Sequence, residues 1–189
     1  MTLFQAAFLG TIQGLTEFLP VSSSAHLVLF QNLLGFKEPL LVFDIAVHFG
    51  TLLAVFVYYR NDFLKMISDS VFFLIHLPRS KDHEALYRQY PHALLAAMVV
   101  VATIPTVIVG VVFQEAFEYF FGSVMAVGFA WLMMSFFLIL SRRFQNGDRP
   151  LSLMNHRDAF LIGLIQGLAI IPGISRSGAT ILAAMLCGI

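Results

Sequence analysis

Three apolar segments long enough to cross a bilayer constrain the fold of this chain more than any other feature. They cover residues 40–59, 91–113 and 123–140, and a spanning helix needs about 20 apolar residues. Hydrophobic residues make up 59% of the 189 residues and charged residues 12%, whereas soluble domains carry about 25% charged residues. The sequence therefore predicts an all-α, polytopic integral membrane protein in one membrane domain, residues 1–189. The zero net charge gives no sign of a nucleic-acid partner.

Two further apolar segments are interrupted. Residues 3–19 and 159–171 each lead into a proline and resume after a serine-rich bend, as residues 25–34 and 179–186. Each half is too short to span a bilayer comfortably. Non-helical backbone is tolerated at membrane depth only where protein or a water-filled cavity surrounds it. We therefore expect two broken, re-entrant helices with their bends inside the protein.

The two broken segments resemble each other. AAFLGTIQGLTEFLPVSSSAH and DAFLIGLIQGLAIIPGISRSGAT both contain IQGL, then a proline, then a bend with paired serines. The first repeat covers about residues 1–59, and the second starts at about residue 159 and is incomplete. Three crossings between the copies place them in opposite orientations. This pattern predicts inverted repeats whose bends meet near the midplane.

The basic residues predict the sidedness. The short apolar segment 63–77 carries Lys65 and Asp69, so we expect it to lie in the interface rather than to cross. Nine of the eleven Lys and Arg residues then share one side, which should be the cytoplasm; they are Arg60, Lys65, Arg79, Lys81, Arg88, Arg142, Arg143, Arg149 and Arg157. Lys37 and Arg176 stand apart from them.

Polar side chains cluster around the first bend: Gln13, Glu17, Ser22, Ser23, Ser24 and His26. A carboxylate in a bilayer is costly and marks a functional site by default, so Glu17 is a candidate catalytic residue and metal ligand; a helix end that reaches water is the alternative. Gln13 shares its helix face. One hydroxyl suffices to cap the next helix, and the others, with the backbone amides, suit an anion. His26 is a catalytic candidate, although a lone histidine on an apolar helix is more often structural.

The second bend holds Arg176 between Ser175 and Ser177, with Thr180 following. A guanidinium at membrane depth needs an anionic partner, and its planar fork suits a pair of phosphate oxygens. An internal pair with Glu17 is the alternative. The combined inventory of a carboxylate, serines, an imidazole and an arginine suits phosphoryl transfer on a lipid phosphate.

Two other polar residues lie inside a predicted span. Asp44 and His48 are one turn apart within residues 40–59 and therefore share a helix face. They either line the cavity or bond to neighbouring helices.

The site candidates form two long motifs. The first reads Gln13-Gly-Leu-Thr-Glu17 and runs into Leu19-Pro-Val-Ser-Ser-Ser-Ala-His26. The second reads Pro172-Gly-Ile-Ser-Arg-Ser-Gly-Ala-Thr180. With both motifs and the FDIAVHFGTLLAV segment, the chain resembles the undecaprenyl-diphosphatase family, also called bacitracin-resistance proteins.

The resemblance implies a multi-pass enzyme of the bacterial inner membrane. It would hydrolyse undecaprenyl diphosphate to the monophosphate and phosphate, at a site open to the periplasm, with a divalent cation such as Mg²⁺ or Ca²⁺. By motif, Glu17 acts with the metal or as an acid or base, and the second bend holds the diphosphate. His26 or one of Ser22 and Ser23 takes part in phosphoryl transfer, and the nucleophile is His, Ser or water.

Two departures from the family pattern stand out. Gln13 occupies a position where many members have Glu, which weakens a two-carboxylate metal site. The chain ends at Ile189, whereas members continue with further membrane helices, so we expect a partial sequence.

Two other classes of protein compete with this interpretation. A transporter shares the inverted-repeat architecture, and a lipid phosphatase of the acid-phosphatase superfamily would need a further histidine after Arg176. The oligomeric state, including a homodimer, is left open.

Overall fold

The computed structural model describes residues 1–79, 83–144 and 149–189. Within those residues the chain folds into ten α-helices and no strand, which confirms the all-α prediction. The helices are α1 (Leu3–Thr16), α2 (Ser23–Leu33), α3 (Leu41–Tyr58), α4 (Arg60–His76), α5 (His83–Gln89), α6 (Pro91–Val112), α7 (Gln114–Phe121), α8 (Val124–Ser141), α9 (His156–Leu168) and α10 (Arg176–Leu186). Short 3₁₀ turns cover Leu77–Arg79, Arg142–Phe144 and Leu151–Leu153.

Three of these helices are long and apolar enough to cross a membrane. They are α3, α6 and α8, with mean hydropathies of 2.0, 2.6 and 2.2, and they match the predicted spans to within one residue at each end. Most of their apolar surface is uncovered by other helices. Apolar side chains exposed along a spanning helix face lipid, so the polytopic membrane fold is confirmed.

Local signals explain why the two broken helices start and stop where they do. Thr2 and Asn155 form capping boxes that begin α1 and α9. After α1 and α9, Pro20 and Pro172 lie within the bends, where a proline lacks the N–H that a continuing helix needs. The chain then re-enters a helix at a serine N-cap in both cases. The predicted breaks are therefore confirmed, while the opposite orientation of the two copies stays a prediction.

Helix α8 supports both broken helices. Val127 packs against Ala25 and Val28 of α2. Two turns further along, Met134 packs against Ala169, which follows α9, and Ala179 of α10. One continuous helix therefore sets the distance between the two bends.

Helices α6 and α9 make an unusually close contact. Gly163 lies against the backbone of Ala102, where a Cβ atom would overlap the carbonyl group. A Cβ on Gly167 would lie 2.8 Å from Cβ of Val109, and the Thr106 hydroxyl donates a 2.7 Å hydrogen bond to the carbonyl of Gly163. This is the small-xxx-small packing of membrane helices, in which missing side chains let two backbones approach.

Helix α4 follows α3 almost without interruption. It packs mainly against α6, and Asp69 accepts hydrogen bonds from the backbone N–H of His92 at 3.3 Å and from its Nδ1 at 2.8 Å. These hydrogen bonds give Asp69, one of the two charged residues that interrupt segment 63–77, a partner within the protein. Its expected interfacial position stays a prediction, and Lys81 of the predicted cytoplasmic set lies outside the described residues.

Candidate active site

The two bends, about 150 residues apart in sequence, are in direct contact. The N–H of Gly173 donates to Oγ of Ser22 at 3.2 Å, and the Ser177 hydroxyl donates to the carbonyl of Leu19 at 3.2 Å. Gly173 has φ +104°, and a Cβ there would lie 2.5 Å from the carbonyl oxygen of Val127. A glycine is therefore required where the second bend passes α8.

The paired serines of the two sequence copies occupy equivalent positions. Ser22 caps α2 and Ser175 caps α10, each accepting a hydrogen bond from the backbone N–H three residues on, at 3.4 and 3.2 Å. Two residues after each cap a second hydroxyl lies close to the first: Ser24 is 3.2 Å from Ser22, and Ser177 is 3.1 Å from Ser175. Similar sequence has therefore produced the same pattern of serine hydrogen bonds twice, although the backbone at the caps differs, with φ +61° at Ser22 and −70° at Ser175.

A small cavity of about 140 Å³ lies between the bends. Its lining consists of Glu17, Phe18, Ser22, Ser23, Ser24, Ile174, Ser175, Arg176 and Ser177. The first residues of both α2 and α10 are among them, so two helix N-termini border the same space. Unpaired N–H groups and the positive end of a helix dipole favour an anion, so the chemistry of this lining, with two such termini and an arginine, suits an anion.

Glu17 connects the cavity to the surrounding helices. It follows α1 directly, and its Oε2 accepts hydrogen bonds from Nε2 of Gln13 at 2.9 Å and from the hydroxyl of Ser23 at 2.5 Å. Nε2 of His48 lies 3.4 Å from the same oxygen. The carboxylate is about a quarter exposed. It is therefore held in one orientation while remaining open to the cavity.

Arg176 lies at the first position of α10 with its side chain exposed. It forms no ion pair in the part of the chain that the structure describes. The alternative of an internal pair with Glu17 is therefore absent from this structure. Its guanidinium borders the cavity and is available to a phosphate group.

Three of the predicted site residues do not line this cavity. Gln13 is 1% exposed and instead donates to Glu17 and, at 3.3 Å, to Thr51 of α3. The hydroxyl of Thr180 donates to the carbonyl of Arg176 within its own helix, at 2.9 Å. The third is His26. Gln13 therefore orients the carboxylate of Glu17, whereas the Thr180 hydroxyl bonds within α10.

His26 lies beside the bend rather than in the cavity. Its Nδ1 is 2.9 Å from the carbonyl of Ser22, and because a carbonyl only accepts, Nδ1 donates. Its ring packs in a T-shaped arrangement with Trp131 of α8, with centroids 4.8 Å apart. Trp131 also donates to the carbonyl of Val21 at 3.0 Å. The ring orientation of His26 is therefore set by the bend and α8 together.

The sequence did not identify Trp131 or Thr51 as residues near the site, and it left the roles of Asp44 and His48 undecided. Asp44, now seen to be buried, accepts a 2.6 Å hydrogen bond from Gln31 of α2, so it bonds to a neighbouring helix. His48 contacts Glu17. The i, i+4 spacing of Asp44 and His48 was the signal for a shared face, whereas no local signal pointed to Trp131 within its apolar span.

The site offers few protein ligands for a divalent cation. Among the described residues no group of three or more His, Cys, Asp or Glu side chains could hold a metal ion. Glu17 is the carboxylate of the cavity lining, and Nε2 of His48 beside it is buried without a hydrogen-bond partner. Mg²⁺ commonly binds through one or two carboxylates together with substrate phosphates. The residues therefore fit a cation that is shared with a bound phosphate.

Comparison with known proteins identifies the family. The model of the family described as bacitracin resistance protein BacA matches residues 6–189. The chain belongs to this family. The undecaprenyl-diphosphatase of Halothermothrix orenii is 42% identical over 188 residues, which are 100% of this chain and 65% of that protein. The one of Desulfosudis oleivorans is 45% identical over 192 residues, covering 98% of this chain and 67% of the relative.

A third relative is undecaprenyl-diphosphatase 4 of Bacillus cereus. It is 38% identical over 185 residues, which cover 98% of this chain and 63% of that protein. The chain thus spans about two thirds of the length of the curated relatives it matches. The resemblance inferred from the two motifs is confirmed at the level of the family.

Proposed function

We propose that this chain carries the active site of an enzyme that hydrolyses undecaprenyl diphosphate to undecaprenyl phosphate and phosphate. One observation carries the proposal: the cavity between the bends brings a carboxylate–serine pair and an arginine together at two helix N-termini. Relatives named undecaprenyl-diphosphatase, at 38–45% identity, support the choice of substrate. The proposed enzyme recycles a lipid carrier of cell-wall synthesis and thereby confers resistance to bacitracin.

The cavity accounts for binding of the diphosphate. Arg176 and the backbone N–H groups at the starts of α2 and α10 supply positive charge and donors to phosphate oxygens. Ser24 and Ser177 add hydroxyl groups on the two sides. The volume of about 140 Å³ suits a polar head group, so the isoprenoid chain stays in the lipid that surrounds α8 and its neighbours.

Ser23 and Glu17 supply the proton transfer. The Ser23 hydroxyl already donates to Oε2 of Glu17 at 2.5 Å, which is the arrangement of a nucleophile with its general base. In the proposed step Oγ attacks the terminal phosphorus while its proton passes to Glu17. The bond to the bridging oxygen breaks, and that oxygen leaves with its electron pair on undecaprenyl phosphate. Water then cleaves the phosphoserine, which restores Ser23 and releases phosphate.

The proposal includes a divalent cation held by Glu17 together with phosphate oxygens. When bound, it would neutralise negative charge that develops on the diphosphate. The site is proposed to open to the periplasmic side of the bacterial inner membrane, because the predicted cytoplasmic basic residues lie at the other ends of the spans. The partners are then the lipid diphosphate and the bilayer.

The experiment that tests the proposal is phosphate release from a long-chain isoprenyl diphosphate in detergent. The Halothermothrix orenii relative serves as the positive control, and EDTA with Mg²⁺ add-back tests the cation. Arg176→Ala should lower the rate by about 10²–10³-fold, because a donor to developing charge is lost. Ser23→Ala should lower it at least as much, whereas Ser24→Ala, which removes one binding hydroxyl and not the nucleophile, should lower it less.

Three outcomes would contradict parts of this proposal. Activity that survives Ser23→Ala would exclude Ser23 as the nucleophile. Activity that survives EDTA would remove the cation. A folded chain without phosphate release, beside an active relative, would overturn the assignment of hydrolysis to this chain and favour the transporter alternative.

A further inference from the structure

One face of α3 carries a row of polar side chains inside an apolar span. Asp44, His48 and Thr51 follow one another at helical spacing, so they lie along the same face. Each contacts a residue of α1 or α2 or the residue that directly follows α1. In the same order, the partners are Gln31, Glu17 and Gln13. Polar contacts between membrane helices hold those helices together, which indicates that α3 fixes the positions of α1 and α2.

The contact at Thr51 acts on Glu17 through Gln13. The Thr51 hydroxyl donates to the carbonyl of His48 at 2.9 Å, so its lone pairs are available to a donor. Nε2 of Gln13 donates to Thr51 at 3.3 Å and to Glu17 at 2.9 Å. An amide nitrogen has two hydrogens, and both are therefore used. Through Gln13, α3 holds the carboxylate that takes the proton of Ser23.

The contact at Asp44 acts on the helix that carries Ser23. Nε2 of Gln31 donates to Oδ1 of Asp44 at 2.6 Å, and both side chains are buried. Helices α2 and α3 otherwise make little contact with each other, whereas each packs on α1. Gln31 lies about 12 Å along α2 from Ser23, at a rise of about 1.5 Å per residue. A slide or rotation of α2 that breaks this bond therefore also moves the Ser23 hydroxyl.

The choice of a carboxylate at position 44 needs an explanation beyond stability. An ionisable side chain within a membrane span is costly, and two apolar residues of similar shape join helices about as well as a buried polar pair. A hydrogen bond to a carboxylate is short and directional, so it fixes a distance and an angle. The bond between Ser23 and Glu17 is 2.5 Å long, and a misplacement of about 1 Å in a reacting group can cost about 10²-fold in rate.

We infer that Asp44 and Gln31 are positioning residues, which hold Ser23 in line with Glu17 by fixing α2 against α3. Neither of the two side chains lines the cavity between the bends, so they act through Ser23 and not on the phosphate. The inference rests on the proposed function, in which Ser23 attacks phosphorus and Glu17 takes its proton. Phosphate binding depends instead on Arg176 and the start of α10. Loss of the pair should therefore change kcat and not KM.

Two double variants separate positioning from stability. Gln31→Met with Asp44→Leu removes the hydrogen bond without leaving a buried polar group unpaired, so Tm should change little. We expect its kcat for phosphate release to fall by about 10-fold to 10²-fold, because α2 is no longer held in one register, while KM stays the same. Gln31→Glu with Asp44→Asn exchanges donor and acceptor and keeps an amide–carboxylate bond of the same length. This exchanged pair should retain most of the wild-type kcat.

Further variants complete the comparison. Asp69→Asn is the matched control, because it changes a carboxylate that bonds α4 to α6 away from the site, and it should leave kcat and KM unchanged. If the apolar pair fails to fold, Gln31→Asn shortens the donor by one methylene and should lower kcat. Adding Asp44→Glu restores the combined length of the pair and should restore kcat.

The outcomes separate this inference from the proposed function. A wild-type kcat in the folded apolar pair would overturn the inference and leave Asp44 and Gln31 as a structural link. An exchanged pair as slow as the apolar pair would also overturn it. A wild-type chain that releases no phosphate would instead overturn the proposed function, and the positioning role would fall with it.

Discussion

Ser22 is the residue that links the two bends. Its Oγ accepts hydrogen bonds from the N–H of Ala25 at 3.4 Å and of Gly173 at 3.2 Å. Both lone pairs are thereby used, so its proton is left for Ser24, 3.2 Å away. Ser22 also has φ +61°, a conformation that is uncommon outside glycine. A fully bonded, strained serine is better suited to positioning the bends than to attacking phosphorus.

Replacing Ser22 should therefore lower the stability of the fold rather than remove a group that reacts with phosphorus. Ser22→Ala leaves the buried N–H of Gly173 without an acceptor, a cost of about 1–3 kcal/mol, and we expect a lower Tm in detergent. Ser24→Ala is the matched control and should change Tm little. If Ser22→Ala kept the wild-type Tm but lost phosphate release, Ser22 would be the catalytic serine instead.

At Glu17, a substitution can remove the negative charge while keeping the shape of the side chain. Glu17→Gln retains the size of the side chain and removes its capacity to take a proton. We expect phosphate release to fall by about 10²–10⁴-fold, the usual contribution of a general base, while the protein remains folded. Rate measurements at saturating substrate test this, and an unchanged kcat would contradict the role of Glu17 as the base.

At the scale of helices, equivalent glycines in the two sequence copies have different surroundings. Gly10 and Gly163 are equivalent positions in the repeat. A Cβ on Gly163 would overlap the backbone of Ala102, whereas a Cβ on Gly10 would lie 3.7 Å from Cγ1 of Val47, an ordinary contact. Helix α9 is thus pressed against α6, while α1 contacts α3 through side chains. Similar sequence has produced the same serine hydrogen bonds at the two bends but different helix interfaces.

The glycine pair offers a matched test of that difference. Gly163→Ala should destabilise the protein by several kcal/mol or disrupt the α6–α9 contact, because the backbone must shift to admit a methyl group. Gly10→Ala should be neutral or stabilising by up to about 1 kcal/mol, since alanine favours a helix over glycine. Thermal unfolding of both variants in one detergent measures the contrast, and equal effects would contradict the close packing of α9 on α6.

At the scale of the whole molecule, the charges predict how the helices are oriented. Lys37 precedes α3 and Arg142 follows α8, and we expect them on the periplasmic and cytoplasmic sides respectively. Once the native Cys187 is replaced by serine, Lys37→Cys should react with a membrane-impermeant maleimide in intact spheroplasts. Arg142→Cys should react only after lysis. The reverse pattern would invert the predicted topology and place the site toward the cytoplasm.

The properties that sequence alone determined are local. Apolar segments of spanning length, the prolines that end α1 and α9, and the serine caps of α2 and α10 depend on neighbouring residues, so the spans and both breaks could be predicted. The composition of the anion site followed from the same motifs. Glu17, Ser23 and Arg176 were candidates because polar groups in apolar surroundings are costly and therefore indicate a function.

Only the tertiary structure decided which of these groups meet. Of the three adjacent serines, Ser23 donates a hydrogen bond to Glu17 because α1 packs on α2. Ser22 instead accepts a hydrogen bond from the N–H of Gly173, because the two bends are in contact. The orientation of His26 against Trp131 and the approach of His48 to Glu17 likewise join segments that are distant in sequence. Such distances depend on how whole helices pack, and no local pattern encodes them.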